Sequence, residues 1–273
     1  MSPLTWVLIL FGVACAFAWI ASLLTGDTSW VDREWSIVPF VYAWVFAIAA
    51  SLHNTRLDLM AIIATVWGLR LTFNFARKGG YSGTEDYRWE VLRSSMGKMQ
   101  FQLFNFFFIV LYQNALLVLI ALPAWTAYQH RDTPLGLFGT LLVIAFLACT
   151  LGETIADQQQ WNFHAWKKSE QAAGRTPNPQ FCQTGLFKVS RHPNFFFEQA
   201  QWWIFFLIGA QAAGSVLQWT VLGPFLLTLL FVGSTRFTEQ ITLSKYPEYA
   251  DYQRTVSQQI PWFPKRNVQN VSR

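Results

Sequence analysis

Apolar residues fall in seven blocks separated by short polar connections: Leu4 to Leu24, Ser36 to Leu52, Leu57 to Ala76, Phe101 to Tyr128, Pro134 to Ala156, Phe195 to Ala213 and Val216 to Thr235. Most approach or exceed the roughly 20 residues with which an α-helix crosses a hydrocarbon core, where each backbone group must be paired inside the helix. The pattern predicts an all-α, polytopic membrane helix bundle of about seven transmembrane helices, one domain over residues 1–264 followed by a loose tail at 265–273. The first block follows a start with no basic residue and is long for a signal-peptide core, so it is read as a retained helix.

Basic residues gather in three connections, Arg77 to Lys98, Lys167 to His192, and Arg236 to Arg273. The positive-inside rule puts all three on the cytoplasmic side. Seven alternating spans then leave the N-terminus outside and the C-terminus inside, with the Gly26 to Trp35 loop also cytoplasmic. In a bacterium this describes an inner-membrane protein whose charged chemistry faces the cytoplasm. Trp30, Trp35, Trp125 and Tyr128, near block ends, read as interfacial anchors.

Composition agrees, since 53% of residues are hydrophobic and only 13% charged, against about 25% charged in a soluble domain. The net charge of +5 sits beside apolar blocks and follows no nucleic-acid motif, so membrane lipids or an anionic cofactor are the expected partners and nucleic acid is not. Cys15, Cys149 and Cys182 are odd in number and scattered, which predicts three free thiols, no disulfide framework and no metal site.

Chemistry is sought in polar residues placed where apolar ones would cost less. Trp67, Arg70, Asn74 and Lys78 recur at helical spacing in the third block, with Arg77 alongside. Arg77 and Lys78 can snorkel; Arg70, about two turns deeper, needs a partner or a wet cavity. The glycines from Lys78 to Gly83 lack the GxGxxG spacing and a preceding strand, so they are not a dinucleotide fingerprint. At the end of the fifth block Glu153, Asp157, Gln160, Trp161, His164 and Lys168 share a helix face. A solvated helix leaving the membrane gives the same pattern, but Asp157 is close enough to the apolar run to need a partner or a ligand hydroxyl.

The strongest local signal runs from Gly185 to Glu198. Gly185 permits a tight turn, Pro193 suits a first helical turn, and Arg191 with Lys188 stands beside a helix N-terminus, an anion-binding arrangement. Asn194, Glu198 and Gln201 then project at i, i+4 and i+7 into a span, facing either a ligand or a structural hydrogen-bond network. Arg236 and Glu239, one turn apart and followed by Tyr246, Tyr249 and Tyr252, read most simply as an i, i+3 salt bridge.

These segments resemble the steroid 5-alpha-reductase-like membrane proteins, specifically the bacterial branch first catalogued as a domain of unknown function. GLFKVSRHPNFFFE from Gly185 to Glu198, RFTEQITLSKYPEYADY from Arg236 to Tyr252 and the terminal IPWFP carry the likeness, with DREWSIVP from Asp32 and WGLRLTFNFARKGGYSGTEDYRWE from Trp67. It covers most of the chain. The Arg-His-Pro element is shared with isoprenylcysteine and phospholipid methyltransferases, which bind S-adenosylmethionine there; Asp157 with the Asn194 to Glu198 pair favours the reductases.

The resemblance implies a seven-helix fold, NADPH entering from the cytoplasmic side and a lipophilic substrate entering from the bilayer. Asp157, Asn194, Glu198, Arg70 and Arg236 would contact the cofactor, with His164 and Glu239 near it; Asn74, Lys78, Lys168, Arg191, His192 and Tyr249 complete the cofactor-binding candidates. Arg77, Lys78, Arg88, Lys167, Lys168 and Arg175 are the cations available to a 2′-phosphate. Glu34 aligns with the Glu of a substrate-polarising Gln-Glu pair, Arg33 replaces the Gln, and Trp67 stands where those reductases have a Tyr. The catalytic candidates are therefore Glu34, Trp67 and, as a second donor, Tyr42. The expected activity is hydride transfer from NADPH to an activated C=C of a steroid or other lipophilic substrate. The alternatives are an S-adenosylmethionine-dependent methyltransferase of lipids or prenylated thiols, and a transporter or scaffold; no acid or base repeats between two halves, which weighs against a transporter.

Overall fold

The structure, a computed structural model, describes residues 1–83 and 85–265, so the predicted tail lies almost wholly outside the described residues. Among them there is no strand. In chain order the helices are α1 (Pro3–Thr25), α2 (Trp30–Trp35), α3 (Val38–Ala49), α4 (Thr55–Arg77) and α5 (Tyr87–Ser95). A continuous helical run follows, composed of α6 (Lys98–Phe104), a π-helical segment (Asn105–Tyr112), α7 (Gln113–Ala121) and α8 (Pro123–Gln129). The last helices are α9 (Gly136–Ala172), α10 (Pro193–Ala212), α11 (Leu222–Lys245) and α12 (Tyr249–Thr255).

Five helical runs among the described residues are long and apolar enough to cross a membrane: Pro3–Thr25, Thr55–Arg77, Lys98–Gln129, Gly136–Ala172 and Trp219–Lys245. Leu8, Val13, Phe17 and Ile20 on α1 and Leu137, Phe138, Leu141 and Ile144 on α9 are each half exposed or more. Apolar surface on this scale suits lipid tails better than water. Two predicted spans come out differently. The second block yields α3, whose 12 residues reach only about 18 Å at 1.5 Å per residue. The sixth yields α10, of 20 residues, in which Asn194, Glu198, Gln199, Gln201 and Gln211 dilute the apolar character. The fifth runs past its predicted end at Ala156 to Ala172, because the polar stripe of Asp157 to Lys168 keeps helical spacing.

The chain divides into two compact units, one formed by Met1–Leu147 with Trp202–Leu227, the other by Ala148–Gln201 with the residues from Thr228 onward. In the first unit α3 packs on α4 and α7, and α1 on α2, α3, α7 and the π segment. Close approach of α4 to the start of α3 depends on Gly68, where a Cβ would stand 2.4 Å from the Ser36 carbonyl oxygen and 2.6 Å from the Phe40 ring. Backbone cannot yield as a side chain does. Gly68→Ala is expected to cost about 1–3 kcal/mol, read as a lowered melting temperature of detergent-purified protein; an unchanged melting temperature would mean the two helices part freely.

Arg56, 2% exposed, binds this unit at the first turn of α4. Its guanidinium donates to the Ile208 carbonyl at 2.9 Å, to Pro134 at 2.7 Å, to Thr133 at 3.3 Å and to the Gln211 side chain.

In the second unit α9 and α10 exchange buried polar contacts. Gln201 Nε2 donates to Glu153 Oε2 at 2.7 Å, and Thr150 Oγ1 donates to Gln201 Oε1 at 2.6 Å. The segment after α12 runs along the approach to α10: Arg191 N donates to Ser257 O, His192 N to Gln258 O and Trp262 N to Val189 O. Cys15, Cys149 and Cys182 are free thiols, as predicted.

Candidate functional site

In the first unit the Asp32-Arg33-Glu34 run divides its labour. Asp32 accepts from Trp89 Nε1 at 3.0 Å, and burial, then the charge of Asp86, raises its carboxyl above the usual range. Arg33 pairs with Asp27 at 2.6 Å, donates to the Gly80 carbonyl at 2.9 Å and lies over the Trp30 ring. Arg33 thus pins the Gly79–Gly80 turn.

Glu34 has a different setting. It is 7% exposed, and Asn114 Nδ2, from α7, donates to its Oε2 at 3.2 Å. Burial raises its carboxyl to about 7, with the Asn114 hydrogen bond acting in the opposite sense. Cys15 of α1 and Tyr42 of α3 lie within electrostatic reach. The Tyr42 hydroxyl and Asn114 Oδ1 are buried with no hydrogen-bond partner among the described residues. A carboxyl that keeps its proton up to about pH 7, hydrogen-bonded to an amide and within electrostatic reach of a phenol, can donate a hydrogen bond to a carbonyl oxygen while protonated.

Trp67 is fully buried, its ring edge-to-face on Trp202 at 4.8 Å, with Phe205 5.3 Å beyond. Along the same helix Arg70 is partly buried, Asn74 is buried and accepts from Arg77 Nε at 2.9 Å, and Lys78 is exposed. The predicted stripe therefore runs from interior to surface.

In the second unit the structure brings Asp157 and Asn194 together, the amide 3.4 Å from Asp157 Oδ1. Asp157 and Glu198 are each 4% exposed, whereas His164 and Lys168, farther along α9, are exposed. Arg191, His192, Glu239 and Tyr249 form a separate cluster. Glu239 accepts from Arg191 Nε at 2.6 Å, Tyr249 at 3.2 Å and Gln253 at 3.0 Å, and lies 3.0 Å from His192 Nε2. Arg191 also donates to the Gln253 and Val256 carbonyls.

This corrects the i, i+3 reading of Arg236 with Glu239. Arg236 is exposed, and the buried carboxylate pairs with Arg191 instead. Burial decides it, because a carboxylate withdrawn from water needs several donors and a surface guanidinium one turn away supplies few. The guanidinium expected to serve an anion is spent on Glu239 and two carbonyls. Among the six cations proposed for a 2′-phosphate, Arg88 is bound to Asp86, Lys167 to the Gln180 carbonyl and Tyr246, and Arg175 to Glu170.

Sequence reasoning missed Asn114, although a Gln113-Asn114 pair inside an apolar block is a costly placement that could have drawn notice. It also missed Gln253 and the segment after α12, which carry no local signal.

A family described as a protein of unknown function, DUF1295, matches residues 18–256. An uncharacterized protein of Schizosaccharomyces pombe is 37% identical over 259 residues, covering 89% of this chain and 75% of its own. No solved structure matches.

Proposed function

The chain belongs to the DUF1295 family, and from that premise we propose that it is a membrane reductase, akin to the steroid 5-alpha-reductase-like proteins, acting with NADPH on an activated C=C of a steroid or other lipophilic substrate. The observation that carries the reading is Glu34, a buried carboxyl that Asn114 contacts at 3.2 Å and that burial raises to about 7, within electrostatic reach of Tyr42. Reduction of an enone moves an electron pair onto the carbonyl oxygen, and a preorganised donor stabilises the charge that develops there. Glu34 is that donor, with Tyr42 as the second, and Trp67 is an apolar wall where relatives of this type carry a phenol.

NADPH supplies the hydride when bound. The donor set in the second unit fits such a group: Asp157 and Glu198 offer buried carboxylate acceptors for hydroxyl and amide N–H groups, and Asn194 offers both a donor and an acceptor. Arg236 is the carried-over cationic contact in this unit. We favour NADPH over NADH because a 2′-phosphate rewards charge-assisted hydrogen bonds; Lys168, exposed on α9, is the cation of this unit that we assign to it. The reading includes seven crossings, α3 and α10 being the additional two, with the N-terminus outside, the C-terminus in the cytoplasm and the protein in a bacterial inner membrane.

Thermal stabilisation of detergent-purified protein tests the proposal. NADPH is expected to raise the melting temperature and S-adenosylmethionine to leave it unchanged. Stabilisation by S-adenosylmethionine would transfer the protein to the methyltransferases, and stabilisation by neither would favour a transporter or scaffold. Asn194→Ala is expected to weaken NADPH binding about tenfold, the worth of roughly one hydrogen bond, without lowering the melting temperature of the ligand-free protein. Loss of expression with unchanged affinity would instead make Asn194 a structural residue.

A further inference from the structure

We propose that Asn114 is the positioning residue of the Glu34 acid: its amide N–H, held on Oε2, makes that atom the carbonyl-type oxygen and directs the acidic proton to Oε1. The purpose of that proton rests on the reductase reading; the hydrogen bond and its effect do not.

Asn114 is fully buried in a helical run apolar enough to span a membrane, where a leucine would cost far less. A buried amide kept for stability has its donor and acceptor both satisfied, because a half-paired polar group in a low-dielectric interior is destabilising. Asn114 is half-paired. Its Nδ2 serves Glu34 at 3.2 Å, while its Oδ1 has no partner among the described residues. The side chain is thus retained for the one bond that it makes. A neutral carboxyl has one acceptor oxygen and one hydroxyl oxygen, so an N–H donor on Oε2 leaves Oε1 as the hydroxyl.

The surroundings leave few competitors. α2 packs on α1, α3 and α7. Cys15 from α1 and Tyr42 from α3 are the titratable groups in electrostatic reach, and α7 has no ionisable side chain from Gln113 to Ala121. On α2 itself, Asp32 is bound to Trp89, and Arg33 to Asp27 and the Gly80 carbonyl.

The experiment is an infrared pH titration of the purified protein without substrate, following the C=O stretch of the protonated carboxyl that Glu34→Gln removes. Because the Asn114 hydrogen bond favours the charged form, Asn114→Leu is expected to move the midpoint upward by roughly one pH unit. An unchanged midpoint would overturn the proposal. If Asn114→Leu does not accumulate, the isosteric Asn114→Asp replaces the donor by a second carboxyl and is expected to shift the midpoint in the same direction. With NADPH and a lipophilic enone, Asn114→Leu is expected to lower kcat about tenfold, to move the alkaline limb of the rate profile upward and to leave the KM for NADPH unaltered. An unchanged kcat beside a shifted midpoint would also overturn the positioning role. Should the wild-type protein turn over no enone, the reductase reading fails while the infrared titration still decides the hydrogen bond.

Discussion

Glu34→Gln is expected to slow turnover of a lipophilic enone by about a hundredfold or more while binding NADPH as the wild type does. The Gln side chain keeps the shape of Glu34 and an N–H donor, but it cannot present the stronger carboxyl hydrogen bond to a developing oxyanion. The pH dependence gives the sharper signature. With its carboxyl raised to about 7, Glu34 is protonated below that value, so the wild-type rate falls as pH rises through about 7 and the Gln variant has no such limb. Stability follows the same sign. The folded protein retains this proton up to about 7, whereas the unfolded chain releases it near 4.5, so the contribution is full below about 4.5 and lost as pH rises through about 7. A kcat/KM profile and a melting profile across that window check both statements. Wild-type turnover by Glu34→Gln would exclude Glu34 and move the search for the donor to Tyr42.

Arg56→Met is expected to be the most destabilising single replacement in the first unit, by about 3–5 kcal/mol, enough to reduce accumulation of the protein in membranes. The methionine retains the apolar stem but leaves the carbonyls of Thr133, Pro134 and Ile208 and the Gln211 amide oxygen without their donor. In an interior that excludes water each abandoned acceptor costs about 1–3 kcal/mol. Arg56→Lys keeps the charge without the planar fork and cannot reach all four acceptors in one geometry, so an intermediate loss is expected. Melting of the purified variants in detergent is the measurement. Wild-type stability of Arg56→Met would show that these acceptors find other donors.

How much of this was legible in the sequence depends on the length scale of each signal. The five membrane-length helices were readable because an unbroken apolar run is a local property. α3 and α10 are less legible because run length does not show the helix ends: Ser51 and Leu52 take left-handed backbone conformations just past Ala49, and the glutamines of α10 lower its apolar character without breaking the helix. Asp157 and Asn194 were legible from helical periodicity, and the structure brings them together. Glu34 becomes a candidate only through resemblance, since nothing local distinguishes it from Asp32 or Arg33, which support the fold. The pairing of Arg191 with Glu239 spans 48 residues and has no one-dimensional trace; proximity favoured Arg236, and burial chose otherwise.

The π-helical segment from Asn105 to Tyr112 has a consequence for phase. Asn105 and Asn114 are nine positions apart, and at 3.6 residues per turn that is two and a half turns, which sets them on opposite sides of a regular helix. Yet both are buried, and both turn to consecutive helices of the N-terminal part, Asn105 donating to Ser22 near the end of α1 and Asn114 to Glu34 on α2. Hydrogen bonds that reach one residue farther wind the backbone more slowly, and that lag brings the second amide round to the seam of the first. The setting of the acid is thus encoded upstream, in a retardation of the helical clock, as well as in the side chain that touches it.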